Sequence, residues 1–506
     1  MANFTLEMTF PKAVGAAGTG LDADHKVFKA YPGIPYRYFA AAVGGDPYYV
    51  WSISGAPSEM VIDSDTGEVT WSNPTTGTHS NITVTVTDQS DVTDSATYDL
   101  VVGTSGFVFL DATAVDDSGA GTLVSPWKTI DKLYDQTTLG TSCAYFRAGT
   151  YDFTGVPVTT GGTIYDDRMQ FSESAGRCTT WLAYPGETVT LNYGSDHTDP
   201  GGRAAALRLA GDNTYVDGFT HLDGFNKFLW MDRGTSRGLY VINNTFTNLG
   251  PGVDSSNSAC VMFTHQTQTY NDVIVNNHTE NIGYTDSTTC IFKFYDNIKS
   301  YCAFNTGDTD LNTSEAIAYK DSCGQFMNYR NNIVSDVTAI GGNNHVTAPY
   351  EGTFGETWFS RYKAPTWALE FNQDSQALQM YWERCTFEGP IHARHVDVND
   401  GPFTFRNCVI VNENGANTEP YLTREEGATD GDWTGTWNTG RISCVTSATP
   451  TGTQNLAGNA AASIVDANGL LQGSYRSSYL GSWGFEIVVD APGASPGGQA
   501  VFMVIF

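Results

Sequence analysis

The chain has 506 residues, enough for two or three domains, and carries 55 acidic against 26 basic residues for a net charge of −29. That balance excludes a nucleic-acid partner held by a basic face and argues against docking on anionic membrane. No apolar run is long enough to insert in a bilayer, and abundant Gly with charged residues at 16% suits a turn-rich all-β protein. An acidic glycan would need a local basic groove to overcome the field of the whole chain.

In chain order, Met1–Glu7 shows neither a basic nor an apolar leader segment. We therefore expect assembly inside a cell and release by lysis, the route of virion proteins; the alternative is a secreted, extracellular protein. Residues 1–20 have no clear period and are read as an arm or strand. Residues 21–103 alternate strand-like runs, among them Tyr48–Ile53, Glu68–Trp71 and Asn81–Thr87, with turn signals at Gly44–Pro47 and Asp65–Gly67. This is the pattern of a small β-sandwich. Asp63 and Asp65 fit either a turn cap or a calcium ion; turn capping is the expected role, and no other cofactor is expected. Gly103–Gly106 reads as a linker.

A short helix is expected near 126–134, over Pro126–Tyr134. From Asn213 to Val411 one phrase recurs: Thr214–Phe219, Leu239–Phe246, Val273–His278, Phe292–Ile298, Met327–Ile333, Met380–Phe387 and Phe403–Ile410. Each copy alternates apolar residues with period two and carries Asn-Asn or its equivalent near the end. Asn244, Asn277, Asn297, Asn332, Cys385 and Cys408 are taken as equivalent corners. The steps between them run from about 20 to about 53 residues; the short ones match a solenoid coil of roughly 20–30, and the longest leaves room for an extra coil. Asn tolerates left-handed backbone and bonds neighbouring peptide groups, so it turns the chain between strands and stacks on its counterparts. Such stacking makes the motif a ladder rather than a catalytic signature. The nine cysteines lack metal-ligand spacing and read as buried thiols, with Cys290–Cys302 or Cys385–Cys408 as disulfide alternatives; no metal site is expected.

These phrases, with Phe107–Asp111, Gly121–Ile130, Ala144–Tyr151 and Leu182–Val189, resemble the right-handed parallel β-helix group that includes pectate-lyase-like enzymes and phage tailspikes. Residues 21–103 resemble bacterial and phage immunoglobulin-like or cadherin-like modules. The resemblance implies an all-β chain: a β-sandwich at 21–103, then a right-handed single-stranded parallel β-helix over 106–475 whose N-terminal end is capped by the short helix. Residues 476–506, with two apolar runs around a Gly/Pro turn, are expected to form a hairpin or tail.

Two stretches are candidates for chemistry. Glu315 and Lys320, with Arg330 following, have a spacing that resembles the alginate-lyase and chondroitinase-B group. There a Lys removes a proton beside a uronic carboxylate that an Arg neutralises. That group places a basic residue on the next strand, where this chain reads Val337–Gly342. The second stretch, read as an insertion from Asn343 to Asp374, is rich in aromatics and carboxylates. Tyr350, Trp358, Tyr362 and Trp367, with Trp382 and His392 beyond, are candidates for stacking on sugar rings. Glu356 and Glu370 are candidates for acid and base of a hydrolase.

The expected function is a structural protein on the exterior of a tailed-phage virion: a trimeric spike, fibre or capsid decoration that contacts other virion proteins and glycans. The alternative is a polysaccharide lyase or glycoside hydrolase acting on an acidic glycan.

Overall fold

A computed structural model describes residues 5–12, 14, 21, 23–45, 49–88, 90–153, 169–194, 207–212, 214–225, 227–233, 238–250, 259–265, 269–282, 290–295 and 297–307. Beyond these it describes the strands named below between 317 and 455, and it describes side chains as far as residue 305. The chain forms two compact units, Met1–His278 with Asn297–Tyr301, and Thr279–Asp296 with Cys302–Phe506.

The first unit opens with an immunoglobulin-like β-sandwich. Its strands are β1 (Glu7–Phe10), β2 (Lys29–Ala30), β3 (Tyr36–Phe39), β4 (Ala41–Val43), β5 (Val50–Ser54), β6 (Met60–Ile62), β7 (Glu68–Trp71), β8 (Gly77–Thr87) and β9 (Thr93–Val102). One sheet runs β2-β9-β8-β5 and the other β3-β7-β6, while β1, from the segment read as an arm, pairs antiparallel with β4. Period-two alternation sets the faces: Ile82, Val84 and Val86 of β8 are fully buried, as are Trp51 and Tyr38 within a few per cent.

Beyond Gly106 the first unit changes architecture. Three parallel ladders take strands in rotation from Cys143 onward. Ladder A holds Phe107–Leu110, Cys143–Phe146, Thr180–Ala183, Tyr215–Asp217, Tyr240–Ile242 and Val273–Val275. Ladder B holds Gly149–Asp152, Val189–Asn192, Thr220–Phe225 and Thr245–Gly250. Ladder C holds Met169–Ser172, Leu207–Ala210, Lys227–Arg233 and Ala259–His265. Parallel neighbours cannot be joined by hairpins, so each strand finds its partner one triplet later. The inner column of ladder A (Ala144, Trp181, Val216, Val241, Ile274) is fully buried.

The helix is shorter than the 126–134 segment. It spans Ile130–Tyr134, capped by the Thr129 hydroxyl on the Lys132 amide. The preceding residues are claimed by the first ladder strand: the Trp127 amide donates to Phe109 O at 2.9 Å and the Asp111 amide to Trp127 O at 2.7 Å. The Lys128 and Thr129 amides both donate to Asp117 Oδ1.

The Asn-Asn corner is built as a double stack. Its first residue takes left-handed backbone, φ 55° at both Asn243 and Asn276. Its second is buried: the Asn244 side chain donates to Val216 O and Ile242 O and accepts from the Phe219 amide. The Asn277 side chain accepts from the Asn244 amide at 3.0 Å and donates to Val241 O at 2.9 Å. Asn297 is not part of this series. It lies in Asn297–Ile298, which pairs with Thr269–Tyr270 in a separate two-stranded sheet. The corner after Tyr301–Ala303 is Phe304, at φ 57°, followed by buried Asn305. A Phe at the left-handed position hid this copy from the sequence.

The sandwich is not tethered by a loose linker. Its β3 face packs on ladder A of the same unit, where Phe10 and His25 lie against Tyr240 at ring-centroid distances of 4.6 and 4.9 Å. Tyr31 meets Phe107 and Phe109 edge-on, and the Gly103 amide donates to Ala30 O at 3.0 Å.

In the second unit the same rotation continues. Ladder A holds Met327–Arg330, Tyr350–Gly355, Leu378–Glu383 and Phe403–Arg406. Ladder B holds Thr306–Gly307, Ile333–Val334, Trp358–Ser360, Thr386–Glu388, Cys408–Val411, Ile442–Val445 and Gln454–Asn455. Ladder C holds Cys290–Tyr295, Ile317–Ser322, Val337–Ile340, Leu369–Asn372, Ile391–Arg394 and Leu422–Arg424. Two corrections follow. The Phe292–Ile298 copy begins a ladder C strand, not a ladder A strand. The stretch read as an insertion from Asn343 to Asp374 contains a complete triplet, Tyr350–Gly355, Trp358–Ser360 and Leu369–Asn372. That triplet is the extra coil for which the longest step left room; the sequence between its first two strands reads Glu356-Thr357, without the Asn or Cys of the recurring phrase. The expected tail at 476–506 lies outside the described residues.

Candidate functional site

In the first unit, the titratable groups that the sequence brings together are structural. Asp63 Oδ1 accepts from the Asp65 amide, the Thr66 amide and the Thr66 hydroxyl, all within 3.0 Å, which is a turn cap. His221 is fully buried; its Nδ1 is 2.8 Å from Tyr193 Oη and its ring stacks on Phe246. Burial pushes its imidazole down to about 3, against a smaller opposing pull from Asn244. Cys143, Cys178 and Cys302 are buried thiols, so a Cys290–Cys302 bridge is not formed. Among the described residues no group of three His, Cys, Asp or Glu side chains converges as a metal site would.

Ladder C of the second unit gathers the chemistry. Register pairs Lys293 with Lys320, Lys320 with Ala339, Ala339 with Glu370, Glu370 with His392, and His392 with Thr423. These residues occupy one continuous column across successive strands, which lie about 4.8 Å apart. Two residues along, Asn372 pairs with Arg394. The alternate positions of the same strands are mostly apolar: Ile340 pairs with Phe371, and Phe371 with Ala393. A register irregularity between Ile317 and Lys320 lets Lys320 join the column, since two residues there face one on the next strand. Three residues chosen separately from the sequence, Lys320, Glu370 and His392, are thus brought to one column. By residue type the column combines Lys, suited to an anionic group, with Glu and His in adjacent register, the types used for proton transfer.

The remaining candidates separate from it. Arg330 is in ladder A, paired with Gly355, and so is not in the same ladder as Lys320. Tyr350 pairs with Leu378 in ladder A, and Trp358 with Ile333 and Thr386 in ladder B. Trp382 falls in an aromatic column with Tyr329, Phe354 and Phe405. Glu315, Glu356, Tyr362 and Trp367 lie outside the described residues. Lys293 and Arg394 carry no signal of their own in the sequence. The signal that finds them is the triplet count, which puts Cys290–Tyr295 and Ile391–Arg394 on the same ladder as Lys320.

Residues 21–103 match the family described as "Putative Ig domain", in agreement with the two-sheet sandwich. No curated protein matches the chain. Among solved structures, the chain is similar to an alpha-galactosidase, so described with the same qualifier, from Bacteroides fragilis. The two are 13% identical, the match covers 43% of this chain and 44% of that one, and the TM-score is 0.17. The chain thus spans less than half the length of that protein, and the score is too low to carry a structural argument.

Proposed function

We propose that the chain is a right-handed parallel β-helix carried on the exterior of a tailed-phage virion, as spike, fibre or capsid decoration, where it engages glycans. The A-B-C rotation of parallel strands from Cys143 to Leu422 supports the helix, and parallel crossovers are right-handed in nearly all proteins. The packed immunoglobulin-like module and the net charge of −29 suit a protein on a virion exterior. Homotrimerisation and contact with other virion proteins belong to this reading, and a secreted protein is its alternative location. One observation carries glycan engagement: the single column that unites Lys320, Glu370 and His392. The test is a screen of the purified chain against bacterial capsule and marine polysaccharides, with light scattering for oligomeric mass. Binding to a polysaccharide and its loss in His392→Ala are expected; silence across the panel from a strictly monomeric protein overturns the reading.

The second reading is a polysaccharide lyase or glycoside hydrolase. It is favoured by Glu370 and His392 lying on neighbouring strands in register, a spacing suited to general acid–base work. Ultraviolet absorbance from unsaturated uronides, or new reducing ends, lost in Glu370→Gln, supports it. Bound glycan that stays intact removes it.

A further inference from the structure

We propose that the seam between the immunoglobulin-like module and ladder A of the first unit is an acid-sensitive latch: in acid the module leaves the ladder while both stay folded. The geometry at His25 carries this. His25 caps the short helical turn Lys26–Phe28 and is buried among the rings of Phe10 and Phe28 of the module and Tyr215 and Tyr240 of the ladder. Its Nδ1 accepts from the Val27 amide at 3.2 Å, so the ring hydrogen sits on Nε2, which is buried without a protein partner. A second proton has only Nδ1 to enter. It would displace the Val27 amide and set a new cation beside Lys26 and Lys29. The docked imidazole therefore stays neutral, whereas the undocked one takes a proton below 6.5. Docking is at full strength above that value and weakens as pH falls toward about 3.

The charges around His25 change in the same direction. The carboxylates are Glu7, Asp24 and Glu68 of the module and Asp217 and Asp272 of the ladder side. The cations are Lys12, Lys26, Lys29 and Arg37 of the module and Lys299 of the ladder side. The two signs balance at neutral pH. Burial raises Glu68, so it loses its charge early. Further acid removes the anions from Arg37–Asp217, at 2.8 Å, and Lys299–Glu7, at 2.6 Å. Every cation remains, while Cys143 and the seam tyrosines are neutral throughout this range. Acid thus turns a balanced seam into one of like charge.

Undocking comes before unfolding because the seam is the less complete of the packed surfaces. The Tyr215 and Tyr240 hydroxyls are also buried there without a protein partner, so separation hydrates groups that docking leaves unsatisfied. The columns beneath are apolar: Val216, Val241 and Ile274 in the ladder, Ile82, Val84 and Val86 in the module. His221 lies inside the ladder, stacked on Phe246, and takes a proton only if the ladder itself opens. His25 needs only the two bodies to part.

The test follows the full chain from neutral pH to about pH 3.5 by small-angle scattering, far-ultraviolet circular dichroism and hydrogen exchange read by mass spectrometry. On acidification the radius of gyration is expected to rise and the peptide over residues 25–30 to exchange about tenfold faster, corrected for the intrinsic rate. The dichroism and the protection of β8 and of Tyr240–Ile242 are expected to hold over that step. His25→Asn keeps a side-chain oxygen for the Val27 amide and removes the titrating group; it should move the step about one pH unit lower. Loss of module, ladder and docking in a single step overturns the latch, as does a radius unchanged across the range. A step at the same pH in folded His25→Asn overturns it too. The scattering and exchange series uses the unaltered protein, so the outcome stands whether or not the variant folds.

Discussion

The Arg37 guanidinium, on β3 of the sandwich, donates to the Asp217 carboxylate of ladder A at 2.8 Å. Asp217 also accepts from the Asn243 side chain at 3.0 Å, and Asn243 accepts from Asn276 at 2.7 Å. A charge on the module therefore ends a polar stack that climbs the corners of two triplets. The Asp217 side chain is 6% exposed and that of Arg37 37%, so removing the arginine strands a nearly buried carboxylate. Arg37→Ala is expected to cost about 1–2 kcal/mol, less than a fully buried pair would. Asp217→Asn in the same background should restore part of it. Denaturant midpoints, with limited proteolysis of residues 21–103, measure this; unchanged midpoints and unchanged cleavage contradict the clamp.

The two asparagines of each corner have different tasks, and substitutions should separate them. Asn277→Ala orphans the Asn244 amide in a dry interior and is expected to cost about 2–3 kcal/mol. Asn243→Gly keeps the left-handed backbone and should cost less than Asn243→Val, for which φ 55° is strained by about 1–2 kcal/mol. Equal effects of the Gly and Val variants, read from thermal melts, contradict the left-handed role.

Acid should open the first unit. Burial pushes both His25 and His221 from 6.5 down to about 3, with Lys26 and Lys29 adding to the effect at His25. Between those values the unfolded chain binds protons that the folded chain refuses, so stability falls as pH drops below 6.5. The loss is about 3 kcal/mol for each imidazole by about pH 4. His221→Phe keeps the stack on Phe246 but removes the imidazole that the Tyr193 hydroxyl bonds. It should be weaker at neutral pH yet show a shallower acid slope, and an unaltered slope counts against the assignment.

Lys26 gives the opposite end of the pH range. It is buried, donates to Arg37 O and sits 4.9 Å from the Tyr215 ring. Burial pushes its ammonium from 10.5 to about 8, partly offset by Asp217. Above about 8 the folded chain has released a proton that the unfolded chain keeps, so stability rises with pH until the tyrosines begin to ionise near 10. Buried Tyr36, Tyr38 and Tyr215 are held above that value, and they reverse the trend there. Lys26→Met should flatten the rise between about 8 and 10 in calorimetric stability profiles; a rise that persists in the variant assigns it elsewhere.

The sandwich and the strand-rich repeat were legible because alternation with period two directly reflects which face is buried, as in β8 and in Val189–Asn192. Corners were legible only where Asn occupied them. Phe304 at φ 57° satisfies the same geometry with a residue that carries no turn signal. The triplet beginning at Tyr301–Ala303 was missed for that reason, whereas the triplet over residues 350–372 fills the extra coil for which the longest step left room. The column of Lys293, Lys320, Glu370 and His392 was beyond reach because its members are separated by unequal connections, and only register brings them together. Docking of the module was equally hidden, since Arg37 and Asp217 meet across 180 positions of sequence.

Trp382 and His392 make the sharpest contrast between packing and function in the second unit. Trp382 stands in register with Phe354 and Phe405, in a column whose fourth strand supplies Tyr329; two residues along, Met327, Gly352, Met380 and Phe403 make another apolar column. Four aromatics on successive strands are what a ladder uses to fill an interior. Trp382→Ala is therefore expected to cost about 3–5 kcal/mol, as large aromatics do when a cavity is left. His392 stands between Glu370 and Thr423 in a polar column. His392→Ala should shift the unfolding midpoint little, by about 0.5 kcal/mol or less, while polysaccharide binding drops. Denaturation and glycan binding measured on both variants decide the matter. If Trp382→Ala abolishes binding with its unfolding midpoint unchanged, the tryptophan is a sugar platform and the packing assignment is wrong.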